Sequence, residues 1–178
     1  SVMTDKLGSV IFDRTNKVKG PKVLLAAHMD EVGFMITAVD DSGFLRFTTL
    51  GGWFDQVLLG QRVKIRIKNG KIIPGVIASR PVHLMSPERR KDVVRVGQMF
   101  IDIGCSNKEE AESLGMRIGL PVIPDSLFST QRKDVYEKGK KKGKDTLVIG
   151  KGFDDRIGVV VACEVLRTLK AKKIRHMN

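Results

Sequence analysis

Hydrophobic and polar positions divide the chain into three textures. Near the start, Leu7 to Phe12 enters a short strand pattern, Gly20 and Pro21 punctuate it, and KVLLAAH then runs as a nearly continuous apolar segment. A short unbroken run of this kind predicts a strand covered on both faces, as in a parallel or mixed sheet packed by helices. His28 stands at its carboxyl end, the edge at which loops converge and sites form in open α/β sheets.

From about Met35 to Val135 the pattern breaks into short β segments: FMITAV, FLRFTTL, RVKIRI, KIIPGVI and FIDIG. Asn69-Gly70 predicts a tight hairpin turn, because both residue types tolerate positive φ. Pro74 predicts an edge, a bend or a bulge. SNKEEAESLG predicts a short helix with Ser106 as its cap, Glu109 at the reciprocal capping position and Gly115 as its stop.

Beyond this block, Lys138 to Lys144 (KGKKKGK) reads as a solvated loop, and TLVIGKG as a strand. FDDRIGVVVACEVLRTL places Ile157, Val160, Val161, Val165 and Leu169 at helical spacing, which predicts a helix from about Asp154 to Leu169. The VVVAC run within it predicts broad burial. The expected fold class is therefore α/β, with residues 1–34 and 136–178 as two parts of one domain and residues 35–135 as an inserted, small, β-barrel-like domain.

Composition narrows the function classes. With 42% hydrophobic and 29% charged residues in 178, the chain reads as an ordinary soluble globular protein. Its 32 Lys plus Arg against 20 Asp plus Glu give a formal charge of +12, a general attraction to polyanions. No helix-turn-helix, zinc finger or paired aromatic strand accompanies that charge, so no specific nucleic-acid partner is expected. No segment approaches the roughly 20 apolar residues of a membrane span, and SVMTDKLGSVIF lacks the layout of a secretory signal. Cys105 and Cys163 form neither a bridge framework nor a metal hook; they read as small buried hydrophobes and fit a reducing cytoplasm.

Two clusters carry candidate chemistry. In HMD, residues i and i+2 of an extended backbone point to the same side, so His28 and Asp30 can be neighbours. Asp30 can then hold one imidazole nitrogen while the other meets a metal, or the two form a plain loop pair. Asp154 and Asp155 open the last helix and suit two roles, structural caps or metal ligation. Arg156 either orients a carboxylate or faces solvent.

Taken together, VLLAAHMDEVGFMIT, FIDIGCSNKEEAESLGMRIGLPV and VIGKGFDDRIG resemble three ordered blocks of the glutamyl aminopeptidase family, whose members include tetrahedral aminopeptidases and proteins called endoglucanases. The resemblance spans nearly the whole chain. It implies an α/β catalytic domain interrupted by a small β-rich domain for subunit association, hence a homo-oligomer. It also implies two divalent metal ions, zinc or cobalt, and removal of amino-terminal residues from short peptides.

By that resemblance His28 is a metal ligand, Asp30 the carboxylate that orients it, and Asp154 the aspartate bridging both metals. Asp155 and Arg156 match the two residues that follow the bridge, without an assigned catalytic role. The family pattern continues into a Glu-Glu pair that supplies the general base and a ligand, then another acidic ligand and a late histidine. Those segments are missing from these residues, so the chain is expected to be truncated at both ends and inactive alone, or to serve as a subunit-association fragment. Glu109-Glu110 suits capping better than catalysis, and His83 and His176 lack the family context. A carbohydrate hydrolase is disfavoured, because it would need two suitably separated carboxyl groups in place of the ordered histidine and aspartate blocks. Exposed β edges or an apolar face near Trp53 and Phe54 are the expected routes to self-association.

Overall fold

The computed structural model describes residues 1–14, 20–87 and 89–172. The chain divides into two compact units, one of Glu31–Lys151 and one of Ser1–Asp30 with Gly152–Asn178. Every strand pairing among the described residues is antiparallel.

In the two-segment unit, β1 (Val2–Thr4) and β2 (Val10–Phe12) form a small hairpin. Asp5 shapes its turn by accepting hydrogen bonds from the N–H groups of Leu7 and Ser9, each at 2.9 Å. Hydrogen bonding from Ser9 above all, with a lesser share from Leu7, holds its carboxyl below the usual range. The strand expected over KVLLAAH is not formed: residues 21–32 carry no ladder, and Val23, Leu24 and Leu25 are exposed. An apolar run becomes a strand only where a neighbouring backbone takes up its N–H and C=O groups, and the hairpin pairs only with itself.

The larger unit is built around a closed barrel. Its strands are β3 (Gly33–Val39), β4 (Leu45–Leu50), β5 (Arg62–Arg66), β6 (Ile72–Ala78), β7 (Phe100–Asp102) and β8 (Pro121–Pro124), in the order β3-β4-β7-β6-β5-β8. Period-two alternation builds the core: Phe34 and Ile36, Leu45 and Phe47, Val63 and Ile65, Ile73 and Ile77 point inward and are buried. Gly75 falls between Ile73 and Ile77, where a Cβ would come within 2.7 Å of the Ile101 side chain. Phe34 also meets Phe47 edge-on at 5.3 Å and stacks on Trp53 at 4.8 Å, while the Trp53 indole N–H donates to the Gly33 carbonyl. Closure removes the free sheet edges expected of this block.

Several local readings shift by a residue or a turn type. Between β5 and β6 only Gly70 has positive φ; Asn69 does not, and its side chain accepts from Lys71 N–H. The loop is thus a turn closed by a left-handed glycine rather than a two-residue turn with both centres at positive φ. Pro74 lies where β7 no longer pairs with β6, since that ladder covers only Val76–Ala78, so its missing N–H costs no ladder bond on that side. Helix α1 (Lys108–Ser113) is capped by Asn107, not Ser106, and Glu110, not Glu109, reaches back to the Ser106 N–H. Gly115, at φ 95°, ends it as expected.

The lysine-rich segment is no loop. β9 (Ser129–Glu137) and β10 (Lys140–Ile149) form a long hairpin whose turn residues, Lys138 and Gly139, both have positive φ. Its cations are exposed, and Lys141 pairs with Asp134 and Lys142 with Glu137.

Helix α2 (Phe153–Ala171) belongs to the two-segment unit and matches the periodicity. The expected burial of VVVAC is absent: none of its residues is buried, Val160 and Val161 are exposed, and so is Cys163. A short hairpin and an irregular segment offer too little apolar surface to cover a helix of 19 residues. Cys105, by contrast, is buried in the barrel unit, which pushes its thiol pKa up. No helix among the described residues is long and apolar enough to cross a membrane.

Candidate metal centre

The candidate centre lies wholly within the two-segment unit. Its first limb is the irregular segment that carries His28, Met29 and Asp30. Its second is the start of α2, where Gly152 turns through a left-handed φ of 72° and Asp154 (φ −88°, ψ 106°) is extended rather than helical. Regular winding begins only after Asp155, which accepts a hydrogen bond from Gly158 N–H at 3.2 Å and so caps the helix. A Cβ at Gly158 would run into that carboxylate, so the glycine makes the cap possible.

With Asp155 engaged in capping, the extended backbone at Asp154 carries its carboxylate away from the helix and toward His28. His28 Nδ1 lies 3.1 Å from Asp30 Oδ1, and His28 Nε2 lies 3.4 Å from Asp154 Oδ1. All three side chains are more than half exposed, so water screens their mutual attraction and the contacts themselves add little stability.

The donor set can be tested against a cation. Two ligands each about 2.0–2.1 Å from a tetrahedral zinc stand roughly 3.3 Å apart. The 3.4 Å between His28 Nε2 and Asp154 Oδ1 is close to that span, and Asp30 Oδ1 lies 3.1 Å from the other imidazole nitrogen, where a carboxylate can orient the ring. The residues therefore fit as part of a metal site. Among the described residues no group of three or more His, Cys, Asp or Glu side chains is disposed to hold a metal.

The other candidates sit elsewhere. Glu109 and Glu110 occupy the first turn of α1 in the barrel unit, with Glu110 committed to its capping bond. His83 is exposed in a short 3₁₀ turn, Val82–Leu84, also in the barrel unit. His176 lies outside the described residues.

Two interactions, one in each unit, are not predicted from the sequence. Arg156 Nε donates to the Met29 carbonyl at 2.9 Å, and Glu31 pairs with Lys151 inside the barrel unit. Adjacency to HMD and to the Asp154-Asp155 pair was the only available signal, because the partners are separated by 127 and 120 residues.

Comparison with known proteins gives a consistent picture. The family model for M42 glutamyl aminopeptidase matches residues 8–178. The putative aminopeptidase FrvX of Escherichia coli is 42% identical over 170 residues, covering 96% of this chain and 44% of the relative. The crystal structure of a TET aminopeptidase from a Thaumarchaeota archaeon of marine sediment superposes with a TM-score of 0.81 at 44% identity, covering 98% of this chain and 45% of that one. The TET1 peptidase of Pyrococcus horikoshii, which can assemble into a tetrahedron or a large octahedral shell, superposes with a TM-score of 0.68 at 32% identity, covering 95% and 46%. The chain thus spans about half the length of the relatives it matches.

Proposed function

The chain belongs to the M42 glutamyl aminopeptidase family, and from that premise we propose that it carries one part of a two-metal centre that removes amino-terminal residues from short peptides. The observation that carries this reading is the convergence of His28 Nε2 and Asp154 Oδ1 at the span of two ligands on one cation. Divalent ions bound there, zinc or cobalt, supply Lewis acidity toward a peptide carbonyl and lower the pKa of water.

This chain's own residues prepare that chemistry. Asp30 Oδ1, 3.1 Å from His28 Nδ1, is placed to accept a hydrogen bond from Nδ1–H, the tautomer that would leave the Nε2 lone pair for a cation. Asp154 would supply a carboxylate to the ions, and its negative charge would offset part of their mutual repulsion. Asp155 holds the helix start in place through its bond from Gly158. The general base needed for proton transfer from water and to the leaving amine is, by the family resemblance, a glutamate of a Glu-Glu segment that these residues do not match.

It follows that these 178 residues alone have negligible peptidase activity. Release of amino-terminal residues from short peptides, measured with added zinc or cobalt beside an active full-length relative, tests this. Turnover comparable to the relative's would overturn it.

The second reading concerns residues 35–135 as a subunit-association domain. Phe54, 77% exposed beside the half-buried Trp53, supplies an apolar surface on the barrel unit, and the assembly of the TET1 peptidase supports a homo-oligomer. Analytical ultracentrifugation over a range of concentrations decides it: a strictly monomeric folded chain rejects association through the barrel.

A further inference from the structure

Arg156 touches both limbs of the candidate centre. Its Nε donates at 2.9 Å to the carbonyl of Met29, the residue between His28 and Asp30. The same guanidinium lies against Gly152, at the head of the limb that carries Asp154: a Cβ built there would stand 3.1 Å from Cζ and Nη1 and 3.3 Å from Nε. Gly152 therefore has two duties, making the left-handed turn at φ 72° and leaving its surface open to the guanidinium plane.

We infer that Arg156 is a positioning residue, a staple that holds the His28 limb against the Asp154 limb so that the two donors stay one cation's span apart. The inference rests on the metal reading given above. It differs from an electrostatic role in sign. A guanidinium beside a cation site repels the cation, so if charge were its whole effect, removing Arg156 would tighten metal binding. If Arg156 is a staple, removing it loosens binding, as loss of an outer-shell partner does. Lysine retains the charge but not the planar fork, so Arg156→Lys falls between wild type and alanine.

The test is a titration of the 178-residue protein with Co2+ alone, followed by its visible absorption bands, with 15N order parameters of the Met29 and Asp30 amides in metal-free protein as a second readout. Arg156→Ala is expected to weaken Co2+ binding about tenfold, the lower end for outer-shell partners because the bond is exposed, and to lower both order parameters. Gly152→Ala is expected to do the same with the charge untouched. Unchanged or tighter Co2+ binding in Arg156→Ala, or unchanged order parameters, overturns the inference. His28→Ala separates the two ideas: if wild type shows no Co2+ bands, or His28→Ala keeps them, the metal reading fails and the order parameters alone decide whether the staple exists.

Discussion

The barrel unit and the site-bearing unit are built on opposite terms. In the barrel, Phe34, Ile36, Leu45, Val63, Ile65, Ile77 and Ile101 are almost wholly removed from water, each contributing about 1.5–3 kcal/mol of burial. In the two-segment unit no described residue is buried, and Ile157, Val160 and Val161 stand more than half exposed on α2. The barrel closes on its own core, whereas the candidate centre hangs on exposed polar contacts, an N-cap and one guanidinium. Order at the centre is therefore set locally, by hydrogen bonds worth little in water, rather than by a core that enforces it.

The sharpest way to break this contrast is to truncate one apolar residue on each side of it. Phe34→Ala removes a ring packed on Phe47 and Trp53 and should lower the barrel's unfolding free energy by about 3–5 kcal/mol. Ile157→Ala, at an exposed position, should stay within about 0.5 kcal/mol. Urea unfolding followed by the fluorescence of Trp53, the single tryptophan, reads the barrel directly. Equal losses in the two variants would mean that the stability of α2 and that of the barrel are coupled.

Overpacking probes the same core from the other direction. Gly75→Ala drives a methyl into the side chains of Ile101 and Ile103 and should cost about 1–3 kcal/mol in the same assay. A neutral outcome would show that the barrel yields at β6.

The two helix caps sharpen the comparison at about 1 kcal/mol each. Asn107→Ala removes the bond from Glu110 N–H, and because α1 buries Ala111 in the barrel core, the loss should appear in the Trp53 transition. Asp155→Ala removes the bond from Gly158 N–H and should instead reduce helical circular dichroism while leaving that transition unmoved. A shift of the transition by the second variant would couple the two units.

The smallest effect concerns the cysteines, one in each region. Cys163 is exposed and should be alkylated by iodoacetamide in the folded protein, whereas Cys105, buried with its thiol pKa raised, should react only on unfolding. The sign of the linkage follows: above the ordinary thiol value of 9.0 the unfolded chain gives up this proton more readily than the folded one, so barrel stability falls as pH climbs through the folded pKa. Mass spectrometry of alkylated peptides checks the first expectation, and Trp53-monitored unfolding on either side of pH 9.0 checks the second.

Much of the barrel was legible because its information is local. Alternation of apolar and polar residues in FMITAV, RVKIRI and KIIPGVI fixes which face turns inward, and Asn69-Gly70 marks the hairpin even though only the glycine takes positive φ. The cap of α1 slipped by one residue because Ser106 and Asn107 are both good acceptors, and only the backbone at Asn107 brings its side chain to Glu110 N–H. Lys138–Lys144 reads as a loop because charge signals solvation, while a hairpin strand exposed on both faces solvates lysines equally well.

What the sequence determined by itself was the inventory and the local periods: a histidine and an aspartate two apart, a pair of aspartates opening a helix, and strands whose alternation demands a shared interior. What the tertiary structure alone decided was pairing across distance. It left KVLLAAH without a strand partner, closed six strands into a ring, set His28 beside Asp154 and laid Arg156 on Met29. The reason is physical: periodicity records which face of an element seeks burial, but a contact between distant residues depends on how the whole chain turns between them.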